Sequence, residues 1–115
     1  MDPERAQQPE DLSRLIVERL NAGDADGVTA LYEPDALLML PDRGVARGTD
    51  EIRSAFGALL ADRPTFTPGD VRPALVCGDL ALTSTRLPGG PITVEVARRQ
   101  PDGTWLWVID QPDIR

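Results

Sequence analysis

Asp110 ends the most apolar run of the chain, WLWVID, residues 105–110. A carboxyl group enclosed by tryptophan and aliphatic side chains has its pKa raised by desolvation, which is what a base working near neutral pH requires. The other reading is architectural: Asp110 caps a backbone turn or pairs with an arginine such as Arg98. If the strand runs straight, Trp105, Trp107, Ile109 and Gln111 share one face, and Leu106, Val108 and Asp110 the other. A bulge reverses that facing.

A few other side chains are candidates to bind a ligand beside such an acid. Tyr32 is placed at the end of a second helix, with its hydroxyl at a cavity rim or its ring in the packing. Met39 and Phe56 suit an apolar pocket wall, although core packing explains them equally. Trp107 lines either the pocket or a dimer contact, whereas Trp105 is assigned to the core. Arg86 and Arg98 can hold a substrate carboxylate or phenolate through two parallel hydrogen bonds, or form surface ion pairs. Glu95, in the alternating stretch TVEVA, is expected to point outward into water. Cys77, between Val76 and Gly78, is expected to be a small buried hydrophobe.

The residues that are missing narrow the chemistry further. The chain has no histidine, all 12 basic residues are arginine, and there is a single cysteine. Ser-His-Asp and Cys-His nucleophiles, lysine Schiff bases and lysine-dependent phosphate loops are therefore excluded. Zinc sites of histidine and cysteine are excluded as well, and one cysteine forms no internal disulfide. No carboxylate spacing of the calcium-loop type occurs. Catalysis is then expected to rest on carboxylates, tyrosine, arginine, hydroxyls, backbone amides or water, without cofactor or metal; a metal held by carboxylates alone is the alternative left open. The net charge of −7 lacks the basic footprint of a nucleic-acid binder and disfavours an anionic membrane surface. No run approaches the roughly 18 apolar residues that span a bilayer. The acidic N-terminus MDPERAQQPEDL is no secretory signal, so a cytoplasmic location is expected.

At 115 residues the chain forms one domain, 1–115, with residues 1–8 expected to be a disordered tail. Residues 10–22 place Leu12, Leu15, Ile16 and Leu20 at helical spacing, between Pro9 and Gly23. Asp24 caps a second short helix, DADGVTALYE, ending before Pro34. ALLML, residues 36–40, reads as a short buried strand, and DRGVARGT as a turn with a short return strand. Asp50 and Glu51 favour the start of a third helix, whose apolar stripe is Ile52, Phe56, Leu59 and Leu60. From residue 65 the period becomes two, giving four successive strands, with PGGP and PDGT as the turns between the last three. Helices first and an antiparallel meander after them make an α+β fold.

Two phrases carry a family resemblance. LNAGDADGVTALYEPDALLMLPDRGVARGTDEIRSAF resembles the N-terminal half of SnoaL-like proteins, of the nuclear transport factor 2-like (ketosteroid isomerase/polyketide cyclase) superfamily. VARRQPDGTWLWVIDQ resembles their last hairpin. The resemblance spans residues 10–112. It implies a cystatin-like α+β cone: three N-terminal helices packed on a curved, mostly antiparallel sheet that encloses a pocket. The superfold hosts isomerases, cyclases, hydrolases, dehydratases and non-catalytic binding modules.

The steroid isomerases of this superfamily use a tyrosine on the first helix and an aspartate before the proline that follows the first strand. Those positions here are Ile16 and Leu40, and an aliphatic chain cannot donate to a developing enolate. A steroid isomerase of that type is thus excluded. The arginine between two aspartates of the limonene-type epoxide hydrolases is not evident around Arg86. The supporting histidine of the polyketide cyclases cannot exist in this chain. The resemblance implies a small-molecule enzyme doing acid–base chemistry on an apolar polyketide- or terpene-like substrate, with Asp110 as base or acid. The rival is a non-catalytic ligand-binding or accessory module. Apolar residues on the late strands suggest a homodimer through the sheet.

Overall fold

The computed structural model describes residues 3–114. Helix α1, Asp11–Asn21, buries Leu12, Leu15 and Leu20 on one side and leaves its charged residues outside. The chain turns through Gly23, whose backbone has a positive φ of 69° suited to a residue without a side chain. Asp24 then caps α2, Ala25–Thr29, its Oδ1 accepting from the Gly27 amide at 2.9 Å. Such a cap contributes about 1 kcal/mol.

Helix α2 is shorter than the spacing predicts. Tyr32 opens strand β1, Tyr32–Met39, and does not end a helix. Tertiary pairing decides this: the Trp107 amide donates to the Leu31 carbonyl at 2.8 Å, which draws the chain into the sheet. Pro34 is accommodated because β1 is irregular between Tyr32 and Leu37, where it gains residues relative to its neighbour. Strand β2, Val45–Arg47, returns antiparallel to β1, and Gly48 begins α3, Gly48–Leu60, which buries Ile52, Phe56 and Leu60.

The rest of the chain is mostly sheet: β3, Asp70–Val71; β4, Leu75–Cys77; β5, Leu80–Arg86; β6, Ile92–Arg99; and β7, Trp105–Gln111. The long strand expected over residues 65–77 is thus two short pieces, interrupted around Pro73. The strand order is β2-β1-β7-β6-β5-β3, with β4 also pairing β5. Among the described residues only the β1–β7 contact is parallel, and it joins the first strand to the last. The three helices cover one face of the sheet, and this is the expected α+β cone.

The N-terminal segment departs from the disordered tail expected over residues 1–8. Ala6 is 1% exposed, and its carbonyl accepts from the Trp105 amide at 3.0 Å. Met1 and Asp2 lie outside the described residues.

The feature of β7 that matters most is a bulge. Val96 pairs with Ile109, yet the next residue, Ala97, pairs with Trp107, so Val108 has no partner in β6. One extra residue turns the side chains that follow to the opposite face. Trp105, Trp107 and Asp110 therefore all reach the buried face, while Ile109 is exposed. The straight-strand arrangement, with Asp110 opposite the tryptophans, does not occur.

Candidate active site

Between the helices and the inner face of the sheet lies a cavity of about 610 Å³, within the usual size range for small-molecule sites. Its walls are apolar: Ile16 and Leu20 come from α1, Phe56 and Leu59 from α3, Leu40 from beyond β1, and Phe66 from the segment after α3. Polar groups are few and sit toward the sheet, where Asp110, Glu95, Thr85 and Thr93 reach the cavity. Ser13 faces them from α1, and its hydroxyl lies 3.3 Å from that of Thr85.

Asp110 is 6% exposed and accepts a hydrogen bond from the Tyr32 hydroxyl at 2.5 Å. Burial pushes its pKa up to about 7, and the negative charge of Glu95 pushes the same way; the tyrosine hydrogen bond opposes both. The Tyr32 hydroxyl is itself held well above the usual tyrosine range, first by burial and then by the Asp110 charge. It therefore remains protonated and acts as a fixed donor. Its ring is held against Phe56 and Trp107, with centroids 5.9 and 5.4 Å away.

Glu95 corrects the outward, solvated position expected for it. It is 4% exposed and lies directly across from Asp110 in the β6–β7 register. Thr83 donates to its Oε1 at 2.6 Å, and the Trp107 indole donates to the same threonine hydroxyl at 3.2 Å. Burial raises the Glu95 pKa, with the Thr83 and Thr93 hydroxyls pulling it down. Two carboxyl groups thus share a largely apolar cavity, each held by its own donor. Near neutral pH, Asp110 can take up a proton or release one.

The other candidates divide by location. Met39, Phe56 and Trp107 line the cavity, and Tyr32 reaches it through its bond to Asp110. Arg86 and Arg98 do not line it. Both lie on the exposed face of the sheet, because in β5 and β6 the inward positions are Ala81, Thr83, Thr85, Glu95 and Ala97. Arg98 donates to Glu33 at 3.0 Å and not to Asp110. Cys77 is exposed, contrary to its expected burial. Among the described residues no cluster of potential metal ligands occurs, and no helix is long and apolar enough to cross a membrane.

The residues missed from the sequence are Glu95, Thr83, Thr85, Thr93 and Ser13. The four on the sheet share a signal, a run of hydroxyls alternating along β5, Thr83 and Thr85, opposite Glu95 and Thr93 of β6, whereas Ser13 on α1 has none. Polar side chains at every second position of paired strands mark one common face.

Solved structures share this architecture. One from Thiobacillus denitrificans, bearing the name of a calcium/calmodulin-dependent protein kinase type II association domain, superposes with a TM-score of 0.80 at 14% identity, covering 99% of this chain and 100% of that one. A ketosteroid isomerase-like protein of Erwinia carotovora atroseptica gives 0.69 at 19% identity, covering 88% of each chain. A nuclear transport factor 2-like protein with a cystatin-like fold, from Novosphingobium aromaticivorans, gives 0.62 at 21% identity, covering 88% of this chain and 75% of that one. At these identities the likeness establishes the fold alone. No curated protein matches the chain. The SnoaL-like domain family does match, over residues 13–114, and with the cone and its pocket already described the chain belongs to that family.

Proposed function

We propose that this protein is a cofactor-independent enzyme that moves protons on an apolar small molecule held in the cone cavity. Asp110 is the catalytic acid or base, and the substrate body is polyketide- or terpene-like, as the apolar walls favour. The observation that carries this reading is Asp110 itself: a buried carboxyl group at the cavity with a pKa of about 7 and a tyrosine donor fixing one of its oxygens. A group with that pKa is divided between its two protonation states at neutral pH, the condition under which a general base is most effective.

In a cyclase- or isomerase-type reaction, ionised Asp110 removes a proton from carbon beside a substrate carbonyl and returns it at another position. Tyr32 holds the carboxyl group in place through both steps. Ser13, Thr85 and Thr93 supply hydroxyls at the cavity surface to orient substrate oxygens. Met39, Phe56 and Trp107 contact the hydrocarbon body.

A second reading has its own support. Leu75 is 71% exposed, and Leu80, Leu82 and Ile109 are exposed on the outer face of the sheet. That face suits a homodimer, and the likeness to a structure named as an association domain points the same way. A non-catalytic accessory dimer would use the cavity to bind a ligand without transforming it.

Carboxyl-detected NMR titration of Asp110, followed by substrate screening with Asp110→Asn, tests the choice. An apparent pKa near 7, and a variant that binds ligand but has lost activity, support the enzyme. An Asp110 pKa near 4 removes the acid–base reading and leaves the accessory module.

A further inference from the structure

Among the described residues the cavity holds two carboxyl groups, Asp110 and Glu95, and no free cation. Arg14 is the one basic residue of its lining among those described, and it sits at the rim with its guanidinium bonded to Glu4 and Glu18. The charged or titratable groups facing the two acids from the packed elements are therefore each other and the Tyr32 hydroxyl, with Arg14 outside. Glu95 and Asp110 are cross-strand partners, so both carboxyl groups enter the cavity from neighbouring positions on one sheet face. When they are ionised, filling the cavity with a neutral hydrocarbon removes water and leaves the acids without a counter-charge, which is costly in an apolar site.

A ligand bearing its own positive charge reverses that balance. A protonated amine offers a donor to the Asp110 oxygen that Tyr32 does not occupy, and its charge stabilises both acids in their ionised form. The aromatic groups beside them add to the effect: Phe56 and Trp107 line the same cavity, and ring faces attract cations. The remaining walls are mostly apolar, including Ile16, Leu20, Leu59 and Phe66, which suits a hydrocarbon body and not a second charge.

We infer that the cavity selects lipophilic amines: an apolar ring body that presents a protonated nitrogen to the Glu95–Asp110 pair. The inference rests on the reading that this cavity is the ligand site, and it names the chemistry of the ligand's polar end.

The test uses three tricyclic diterpenes of nearly identical shape, dehydroabietylamine, dehydroabietinol and dehydroabietic acid, titrated calorimetrically into the whole protein at pH 8. The expected result is that the amine binds at least about 10-fold more tightly than the alcohol, a difference of about 1.4 kcal/mol, and that the carboxylic acid binds most weakly. The amine's advantage shrinks at pH 5, where Asp110 carries a proton, and disappears in Asp110→Asn/Glu95→Gln. An alcohol that binds as well as the amine overturns the inference while leaving the cavity as a ligand site. Failure of all three to bind overturns both. An amine preference that survives the double substitution places the amine on the acidic outer surface and also overturns it. Should the double variant not fold, the wild-type comparison of amine with alcohol at the two pH values decides alone.

Discussion

Glu95 and Asp110 stand opposite each other across β6 and β7, both buried and both reaching one cavity. The pairing makes each carboxyl group part of the other's surroundings. Glu95 raises the Asp110 pKa through its charge. Glu95→Gln removes that charge and keeps the shape and the acceptor for Thr83. The expected outcome is an Asp110 pKa lower than the wild-type value of about 7, measured by carboxyl NMR. Like charges confined at short range perturb each other in this direction. An unchanged value would mean that solvent screens the pair.

Tyr32→Phe should move the same pKa the other way. The tyrosine hydrogen bond is the one contribution that lowers the Asp110 pKa, so removing the hydroxyl raises it. The ring remains packed on Phe56 and Trp107. Loss of the donor to a buried carboxylate should cost about 1–3 kcal/mol of stability at pH 8. The cost should be smaller at pH 5, where Asp110 is protonated. Chemical denaturation at the two pH values, alongside the NMR titration, checks both parts.

Asp110 also couples folding to pH, with a definite sign. The folded chain holds the Asp110 proton up to about pH 7, whereas an ordinary aspartate releases it near 3.8. Its contribution to stability is thus fully present below pH 3.8 and is lost as pH rises through 7. Asn at this position accepts from Tyr32 without ionising. Between pH 5 and pH 8, Asp110→Asn should therefore gain about 2–3 kcal/mol relative to the wild type. Parallel stability curves for the two proteins across that range would mean that Asp110 is solvated.

Much of the scaffold was legible in the sequence because it depends on local rules. Helix α1 follows from the spacing of Leu12, Leu15 and Leu20, α2 begins at its Asp24 cap, and α3 carries Ile52, Phe56 and Leu60 on one side. The facing of the catalytic candidates was not legible. Alternation in TVEVA assigns Glu95 to the face opposite Val94 and Val96, but it cannot tell which face is the core when the outer one is apolar too. Buried Thr83 on β5 and Asp110 on β7 resolve the ambiguity, and both are tertiary neighbours. Asp110 likewise depends on the bulge at Val108, which no residue type in WLWVID announces. Arg86 and Arg98 were drawn toward the pocket by their chemistry and fall on the other face by their register. Tyr32 shows the same limit, since its place in β1 comes from pairing with Trp107 and not from local propensity.

The outer face of the sheet provides the last prediction. Leu75 and Leu82 are register partners across β4 and β5, and both are exposed, with Leu80 on the same face. Leaving such a cluster in water is unfavourable, and a two-fold pairing of the sheets would bury it twice over, once from each copy. The wild-type protein should therefore sediment as a dimer. Leu82→Glu places one uncompensated carboxylate in each half of the interface, where the two copies repel and both lose water. Dimer affinity should fall by at least about 100-fold, since two such losses together exceed the roughly 2.7 kcal/mol that this factor represents. Leu82 points away from the cavity, whose inward β5 positions are Ala81, Thr83 and Thr85, so the variant should keep the Asp110 titration of the wild type. A wild type that sediments as a monomer would remove the accessory-dimer reading and leave this apolar face without a partner. A dimer that Leu82→Glu does not weaken would place the interface elsewhere on the molecule.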